Sequence, residues 1–219
     1  TQGISLFSAK EETDDVQDTD GYTTKAGKVN FKFAKNANQK NLVRIQQDDY
    51  KVSFALQNRN ENKKVTIENS ESSAENDSLE SQMTVDNIYS TVNYNNIQDD
   101  VDLQYIASGS DLKENIIINK VKDEYTFSFD IKTHKLNIVQ EDDGSISLYD
   151  YKSNELIYSI PAMYMEDSNG EQSESITCSL KQVKKKRYVL TITADAAWIN
   201  DKEREFPVTI DPTLVSKHT

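Results

Sequence analysis

The chain is poor in the residues that build most catalytic and metal centres. Its 219 residues include one cysteine, two histidines and one tryptophan. A single cysteine excludes a disulfide within the chain. His134 and His218 lie far apart in the sequence, and isolated histidines rarely form a metal site. Nucleophilic catalysis needs a nucleophile, a base and an orienting group together. These scarcities predict that the chain is not an enzyme.

Long apolar runs and a positive charge balance are also missing. No run approaches the ~18 apolar residues of a membrane-spanning helix, and the first ten residues lack the basic and apolar segments of a signal peptide. The formal net charge is -12, from 37 acidic and 25 basic residues. Because an acidic surface repels phosphate backbones, we expect neither a nucleic-acid partner nor membrane insertion.

The strongest positive signal is strand-like alternation. Tyr125, Phe127, Phe129 and Ile131 alternate with polar residues, which is typical of a half-buried antiparallel strand. The one convincing helical piece is ADAAWINDKE, near Asp195–Glu203, which Asp195 can cap. The sequence therefore predicts a mainly β fold, an antiparallel β-sandwich-like architecture with one short helix.

Composition divides the chain into two parts. Residues 1–24 contain the acidic run KEETDDVQDTDG and predict a flexible acidic leader. Residues 25–219 form the β-rich module. A Ser/Glu/Asn-rich stretch at 69–81 has no periodicity and predicts an exposed loop. The module folds either as one unit or as two lobes, 25–82 and 83–219, joined by that loop.

The candidate ligand-binding residues are tyrosines, of which the chain has 11. Rings on one exposed sheet face can stack on a sugar, whereas inward rings fill the core or an edge. The candidates are Tyr149, Tyr151, Tyr158 and Tyr164. The basic run Lys184–Arg187 is interpreted as a solvated hairpin tip, with contact to an anionic wall polymer as the alternative.

Calcium is the metal to consider, although the sequence predicts no cofactor. Ca²⁺ takes six to eight oxygen ligands, which runs of acids can supply. Asp99, Asp100 and Asp102 are weak candidates, and a second acidic cluster lies in the leader. The leader does not fit the EF-hand pattern, because Val16 stands where that pattern begins with Asp.

Two phrases resemble a known family. VDLQYIASGSDLKENIII begins at Val101, and AAWINDKEREFPVTIDPT ends at Thr213. With DDGSISLYD and YSIPAMYMEDSNG in order between them, they resemble the β-rich module of bacterial wall-associated and Rhs/YD-repeat secreted proteins, which occurs beside DNRLRE-type domains. The resemblance covers roughly residues 85–213.

The resemblance implies a location and a function. We expect a bacterial protein that is secreted or on the cell surface. The expected function is that of a non-catalytic structural or docking module, with the parent protein's other domains or a polysaccharide as partners. The alternative is an adhesin-like, carbohydrate-binding β-sandwich. We expect the matching motif residues to specify the fold: Asp102, Tyr105, Lys113, Glu114, Asn115, Trp198, Arg204, Pro207 and Asp211.

Three of these expectations are physically specific. The cluster Lys113–Asn115 can fix the register of a strand whose two faces are both apolar. Arg204 can pair with Asp201 and Glu203 to hold the Trp198 helix. Pro207 can begin the final strand, where its missing N–H does least harm.

Overall fold

The computed structural model describes Val16 and residues 21–63, 66–69 and 90–217. Its elements are bounded as follows. The first half of the described chain contains β1 (Gly21–Ala26), β2 (Val29–Ala34), β3 (Val43–Gln47), β4 (Tyr50–Leu56), β5 (Thr66–Asn69), β6 (Ser90–Gln98), β7 (Val101–Ser108) and β8 (Asp111–Ile118). The second half contains β9 (Tyr125–His134), β10 (Leu136–Gln140), β11 (Ile146–Asp150), β12 (Leu156–Ile160), β13 (Tyr164–Glu166), β14 (Gln172–Ser173), β15 (Ile176–Lys184), β16 (Arg187–Ala194), α1 (Ala196–Ile199), β17 (Val208–Asp211) and β18 (Val215–Ser216).

These strands form three antiparallel sheets. Sheet 1 has the order β1-β2-β3-β4-β9-β16-β15, and sheet 2 has the order β14-β13-β17-β8-β7-β6-β5. The smaller sheet 3 has the order β10-β11-β12-β18. The predicted fold class, mainly β and sandwich-like with one short helix, is confirmed.

Sheets 1 and 2 bury their apolar faces against each other. On β2, Phe31 and Phe33 are fully buried while Lys32 between them faces outward, which is the alternation expected of a one-sided sheet. The Phe33 and Tyr105 rings lie 6.0 Å apart, and Tyr94 meets Tyr105 edge to face at 6.1 Å. Such aromatic pairs favour these offset geometries. They connect the two sheets at the centre of the core.

Sheet 3 covers one end of this sandwich. Its inward residues include Leu136, Leu148 and Tyr158, all buried. The Tyr188 hydroxyl of β16 reaches the Ile138 backbone N–H at 3.4 Å. The Tyr50 hydroxyl donates to Asp150 at 2.9 Å, which raises the pKa of Tyr50 to about 12. Polar contacts therefore hold sheet 3 to sheet 1.

Close packing at the start of β1 requires glycine. A Cβ built on Gly21 would lie 1.6 Å from the Phe33 carbonyl oxygen across the β1–β2 ladder. No side chain fits there without backbone movement.

Gly21 begins β1 inside the stretch that the sequence analysis assigned to the flexible leader. Most of that leader lies outside the described residues, as does most of the loop at 69–81. Val16, which is described, is buried.

Two connections arrange the strands within the sheets. The turn EDSNGE joins β13 to β14, and Asp167 accepts backbone N–H groups within that short hairpin. In addition, β4 pairs with β9 from Lys51↔His134 to Leu56↔Phe129. Segments 25–82 and 83–219 therefore share sheet 1.

The short helix is smaller than its sequence signal. It spans Ala196–Ile199, and the Asp195 side chain caps it by accepting from the Ala197 N–H at 2.9 Å. Ile199 is the fully buried residue, whereas Trp198 is only half-buried. Loss of the Trp198 ring should therefore destabilise the fold less than the loss of a core aromatic.

Tyr94→Phe should destabilise the fold by about 1–2 kcal/mol. The hydroxyl of this fully buried tyrosine lies 2.9 Å from the Ala34 carbonyl and 3.0 Å from the Leu42 carbonyl, and phenylalanine cannot replace that donor. Chemical denaturation measures the difference. Tyr22→Phe, at a position 41% exposed, is the matched control and should stay within about 0.5 kcal/mol of the parent. Equal losses in both variants would contradict this assignment of the buried bond.

Candidate nucleic-acid interface

The four candidate tyrosines do not share one surface. Tyr158 is fully buried, so its ring is not available for stacking on a ligand. Its hydroxyl donates to Gln47 at 3.2 Å, and burial raises its pKa. Tyr164 lies in sheet 2, where its hydroxyl donates to Asp211 at 3.3 Å. Tyr149 and Tyr151 lie at and just beyond the end of β11 in sheet 3.

Lysines surround the Tyr151 ring. The ammonium groups of Lys152 and Lys186 lie 5.2 and 5.0 Å from its centroid. Lys186 is buried, and its Nζ donates to the Leu136 carbonyl at 3.1 Å and to Asn137 at 2.9 Å. Lys184–Arg187 does form a hairpin tip, between β15 and β16, but Lys186 within it is buried and not solvated as predicted. A buried ammonium needs such partners, because an unpaired one is costly to desolvate.

A buried carboxyl group lies on the core side of β8. Glu114 faces Tyr105 directly across the β7–β8 ladder and accepts its hydroxyl hydrogen at 2.9 Å. Burial raises the pKa of Glu114 to about 8, although the Tyr105 hydrogen bond opposes the shift; the nearby Asp211 carboxylate adds to it. Burial also raises the pKa of Tyr105. Burial therefore favours the neutral form of both groups.

Asp211 and an amide ladder flank this pair. Lys113 forms an ion pair with Asp211 at 3.2 Å, and Thr213 also bonds to that carboxylate. On the other side, Asn115 donates to Gln104, which donates to Asn93, each at 2.8 Å. The ladder crosses β8, β7 and β6, so a one-residue slip of any of these strands would break it.

Arg204 has a different partner from the one predicted. It pairs with buried Asp167 at 3.3 Å rather than with Asp201 or Glu203, and its guanidinium lies 4.4 Å from the Trp198 ring centroid. Burial by itself would raise the pKa of Asp167, but three backbone N–H groups and Arg204 together lower it. The β13–β14 turn brings Asp167 to this place.

Pro207 follows a cis peptide bond from Phe206 and directly precedes β17, which is not the last strand as predicted.

The remaining candidates for metal binding or catalysis do not form a common site. Asp100 pairs with Lys120 at 2.9 Å, and Asp102 accepts from Asn119 at 2.9 Å. Within the described residues, no group of three or more His, Cys, Asp or Glu is placed to hold a metal ion. The prediction of no cofactor, with calcium as a weak alternative at Asp99, Asp100 and Asp102, stays a prediction.

The single cysteine, Cys178, lies with its sulfur 3.6 Å from the Met163 sulfur, and burial raises the pKa of its thiol. His218 lies outside the described residues.

The outer face of sheet 1 carries a feature that the sequence reading missed. A row of directly opposed residues crosses it in the order Lys32, Arg44, Ser53, Lys132 and Arg187. These residues come from β2, β3, β4, β9 and β16. Four strand spacings make the row about 19 Å long. Ser53, in the middle of the row, is fully buried and donates to Asn41 at 3.2 Å. The four cations therefore lie on one line as two pairs, one on each side of this covered position, although they are far apart in the sequence.

A second row runs beside the first, one pleat along the strands. It joins Lys25, Asn30, Gln46, Lys51 and His134 by direct pairing across β1, β2, β3, β4 and β9. Successive outward residues on a strand are about 7 Å apart, which sets the spacing of the two rows. We call Lys25, Lys32, Arg44, Lys51, Lys132 and Arg187 the cation face. In the seven strands of sheet 1, the outward acid is Asp130.

The cation face places like charges opposite each other. Lys32 lies directly opposite Arg44, and Lys132 directly opposite Arg187. Like charges in such pairs are destabilising, by up to about 1 kcal/mol each. Five of the six cations, all except Lys25, are half-buried and take part in other polar, ring or electrostatic contacts. A surface with this charge and spacing can bind an anionic polymer, whose phosphates would exchange with those contacts.

The similarity to known proteins bears on this interface. A family model described as Domain of unknown function (DUF7948) matches residues 3–213. The chain belongs to the DUF7948 family. No solved structure matches it.

Curated relatives of this DUF7948 domain are named as nucleases. It is 28% identical over 191 residues to tRNA nuclease WapA of Bacillus subtilis strain 168. The same identity relates it to the tRNA3(Ser)-specific nuclease WapA of Bacillus spizizenii and to the tRNA(Glu)-specific nuclease WapA of Bacillus subtilis subsp. natto. Each match covers 84% of this chain but 8% of the relative. The chain thus spans a small part of those proteins.

These matches correct several expectations from the sequence. The assignment to a module of Rhs/YD-repeat wall-associated proteins is overturned, because the family is DUF7948 and the relatives are named tRNA nucleases. For the same reason, the predictions of a non-enzyme, of a purely structural, docking or adhesin-like module and of no nucleic-acid partner are wrong. A negative net charge is an average over the molecule and does not describe one face of one sheet.

The membrane expectation concerns helices alone. No helix among the described residues is long and apolar enough to cross a membrane. A secreted location is a separate expectation.

Glu114→Gln should stabilise the DUF7948 domain increasingly from about pH 4.5 to pH 8. The folded state holds the proton on Glu114 up to a pKa of about 8, while the unfolded chain releases it near the ordinary glutamate pKa of 4.5. The wild type therefore loses the stability of the neutral form as the pH rises through this window, by up to about 1.4 kcal/mol per pH unit. Glutamine is neutral throughout and still accepts the Tyr105 hydrogen.

Denaturant unfolding of both proteins at several pH values measures this difference. All other titrating groups are common to the two proteins and cancel in the comparison. Parallel stability curves for Glu114→Gln and the wild type would mean that Glu114 ionises near its usual pKa.

Proposed function

We propose that this chain is an RNA-binding domain of a larger protein that cleaves tRNA, and that the cation face holds the RNA. The observation that carries the proposal is the double row of cations and polar residues on the outer face of sheet 1. The relatives named as tRNA nucleases support RNA as the anion. The activity of the whole protein is part of the proposal, because the chain spans a small share of those relatives.

Charge segregation makes this binding compatible with an acidic chain. Lys32, Arg44 and Lys132 stand at outward strand positions whose neighbours along the strand face the core. Asp130 is the outward acid within the strands of sheet 1, and Asp49 of the β3–β4 turn interacts with Lys51 and His134 at one edge of this face. Phosphate binding by such a face depends on the local potential, which decays over a Debye length of about 8 Å at physiological salt. Distant acids therefore weaken the binding little.

The arrangement of the cations also limits the entropic cost of binding. Arg44 and Lys132 are half-buried between neighbouring strands, so their side chains are already restricted. Ordering a free lysine or arginine side chain costs about 0.5–1.5 kcal/mol on association. Half-buried cations have lost part of this freedom on folding. Their fixed spacing suits a repeating array of phosphates.

The binding test uses a fluorescently labelled tRNA and the purified chain, with anisotropy measured over a range of salt concentrations. The affinity should fall steeply as salt rises. Replacing Lys32, Arg44 and Lys132 with glutamine should reduce the slope of log K against log salt by about 3, because each lost phosphate contact contributes nearly one unit. Circular dichroism confirms that the variant is folded.

A matched control separates the contribution of the cation face to RNA binding from the effect of the chain's net charge. Lys120→Gln, Lys202→Gln and Lys217→Gln together remove the same charge from exposed positions outside sheet 1. Two of these lysines form exposed ion pairs, with Asp100 and Glu155, that contribute little to stability. This control should keep the parental slope. An equal loss in both triple variants, or no salt-dependent binding by the parent, would overturn the proposal.

We also propose that the protein acts outside the bacterial cytoplasm. The acidic composition, which favours solubility, is compatible with this location. Immunodetection in culture medium and in cytoplasmic fractions of the source cells tests it, and confinement to the cytoplasm would contradict it.

A further inference from the structure

Hydroxyl groups occupy the other half of the same outer face. Two rows of directly opposed serines and threonines cross β15, β16 and β9 beyond Asp130. The first row is Ser179, Thr191 and Ser128, and the second is Thr177, Thr193 and Thr126. We call these six residues the hydroxyl rows. All six are exposed or half-buried.

Their hydroxyls are paired across strands but retain bonding capacity. Ser128 Oγ lies 3.0 Å from Thr191 Oγ1, and Thr126 Oγ1 lies 3.4 Å from Thr193 Oγ1. Each hydroxyl offers one hydrogen and two lone pairs, so one bond between two hydroxyls leaves further donors and acceptors. The rows therefore present a surface that both gives and accepts hydrogen bonds.

The hydroxyl rows lie at a fixed distance from the cation face. On β9, Ser128 is four residues from Lys132, which places their Cα atoms about 13 Å apart along the strand. On β16, Thr191 is likewise four residues from Arg187. One sheet face thus combines a half that carries cations with a half that carries hydroxyl groups.

We propose that this face recognises the sugar–phosphate backbone of base-paired RNA, with the cation face on the phosphates and the hydroxyl rows on ribose 2′-hydroxyls. The inference rests on the proposed RNA-binding function and adds the class of RNA. A-form helices present 2′-hydroxyls and phosphates together across a wide, shallow minor groove, which a flat sheet can contact. The 2′-hydroxyl both donates and accepts hydrogen bonds, and it distinguishes RNA from DNA.

The test compares three labelled nucleic acids of equal length at one salt concentration. They are a fully paired RNA stem-loop, an unpaired RNA without self-complementarity, and the DNA stem-loop of the same sequence. We expect the RNA stem-loop to bind about tenfold more tightly than the DNA stem-loop, the ratio that corresponds to one or two net hydrogen bonds. It should also bind more tightly than the unpaired RNA.

Variants test whether the hydroxyl rows cause a preference for RNA over DNA. Thr191→Val and Thr193→Val together keep the β-branched shape on β16 but remove two hydroxyls. This double variant should lower the RNA-to-DNA affinity ratio toward one without changing the salt slope. Thr91→Val and Thr209→Val make the same change on strands of sheet 2 and should leave the ratio unchanged. The triple glutamine variant of the cation face should weaken RNA and DNA binding alike.

The outcomes separate this inference from the function on which it rests. Salt-dependent binding of RNA with equal affinity for the DNA stem-loop, or with tighter binding of the unpaired RNA, would overturn the inference and leave the RNA-binding function standing. An unchanged RNA-to-DNA ratio in the Thr191→Val and Thr193→Val variant would also overturn it. Failure to bind any of the three nucleic acids would overturn both.

Discussion

The antiparallel pairing of β4 with β9 is the constraint on which most of the molecule depends. It places Ser53 opposite Lys132 and Phe54 opposite Ile131, joining strands about 80 residues apart in the chain. On the inner side, this register brings apolar side chains of both halves into one core. On the outer side, it brings Arg44 of β3 within two strands of Lys132. Because side chains alternate between faces, the same ladder fixes both sides at once.

The core and the outer face illustrate two different costs in free energy. Glu114 occupies a core position, where burial makes its charged form unfavourable and its neutral form acceptable beside the Tyr105 hydroxyl. The cation face instead places like charges opposite each other in water, at a cost of about 1 kcal/mol or less per pair. The polar pair in the core gives a directional contact between β7 and β8. The opposed cations take part in other polar or electrostatic contacts, and the RNA that we propose as their ligand would exchange with those contacts.

Net charge was a misleading guide to partners in this chain. A value of -12 predicts repulsion of nucleic acid only if the charges are mixed evenly over the surface. Sheet 1 separates them, because its outward positions carry cations and hydroxyl groups with Asp130 between the two sets. The relatives named as tRNA nucleases are the reason that we propose RNA as the ligand instead of polysaccharide. The strand register had to be known before the charged residues that share one face could be identified.

The amino-acid sequence by itself determined the elements of this protein. Alternation such as that of Tyr125 to Ile131 predicted the strands, and Asp195 before two alanines predicted the short helix, because both signals depend on neighbouring residues. Only the tertiary structure decided that Asp167, and not Asp201, pairs with Arg204, and that Tyr158 is buried. It also decided that Lys32, Arg44, Lys132 and Arg187 form one row. These relationships join distant segments, and strand order and register, which set them, are consequences of packing the whole chain.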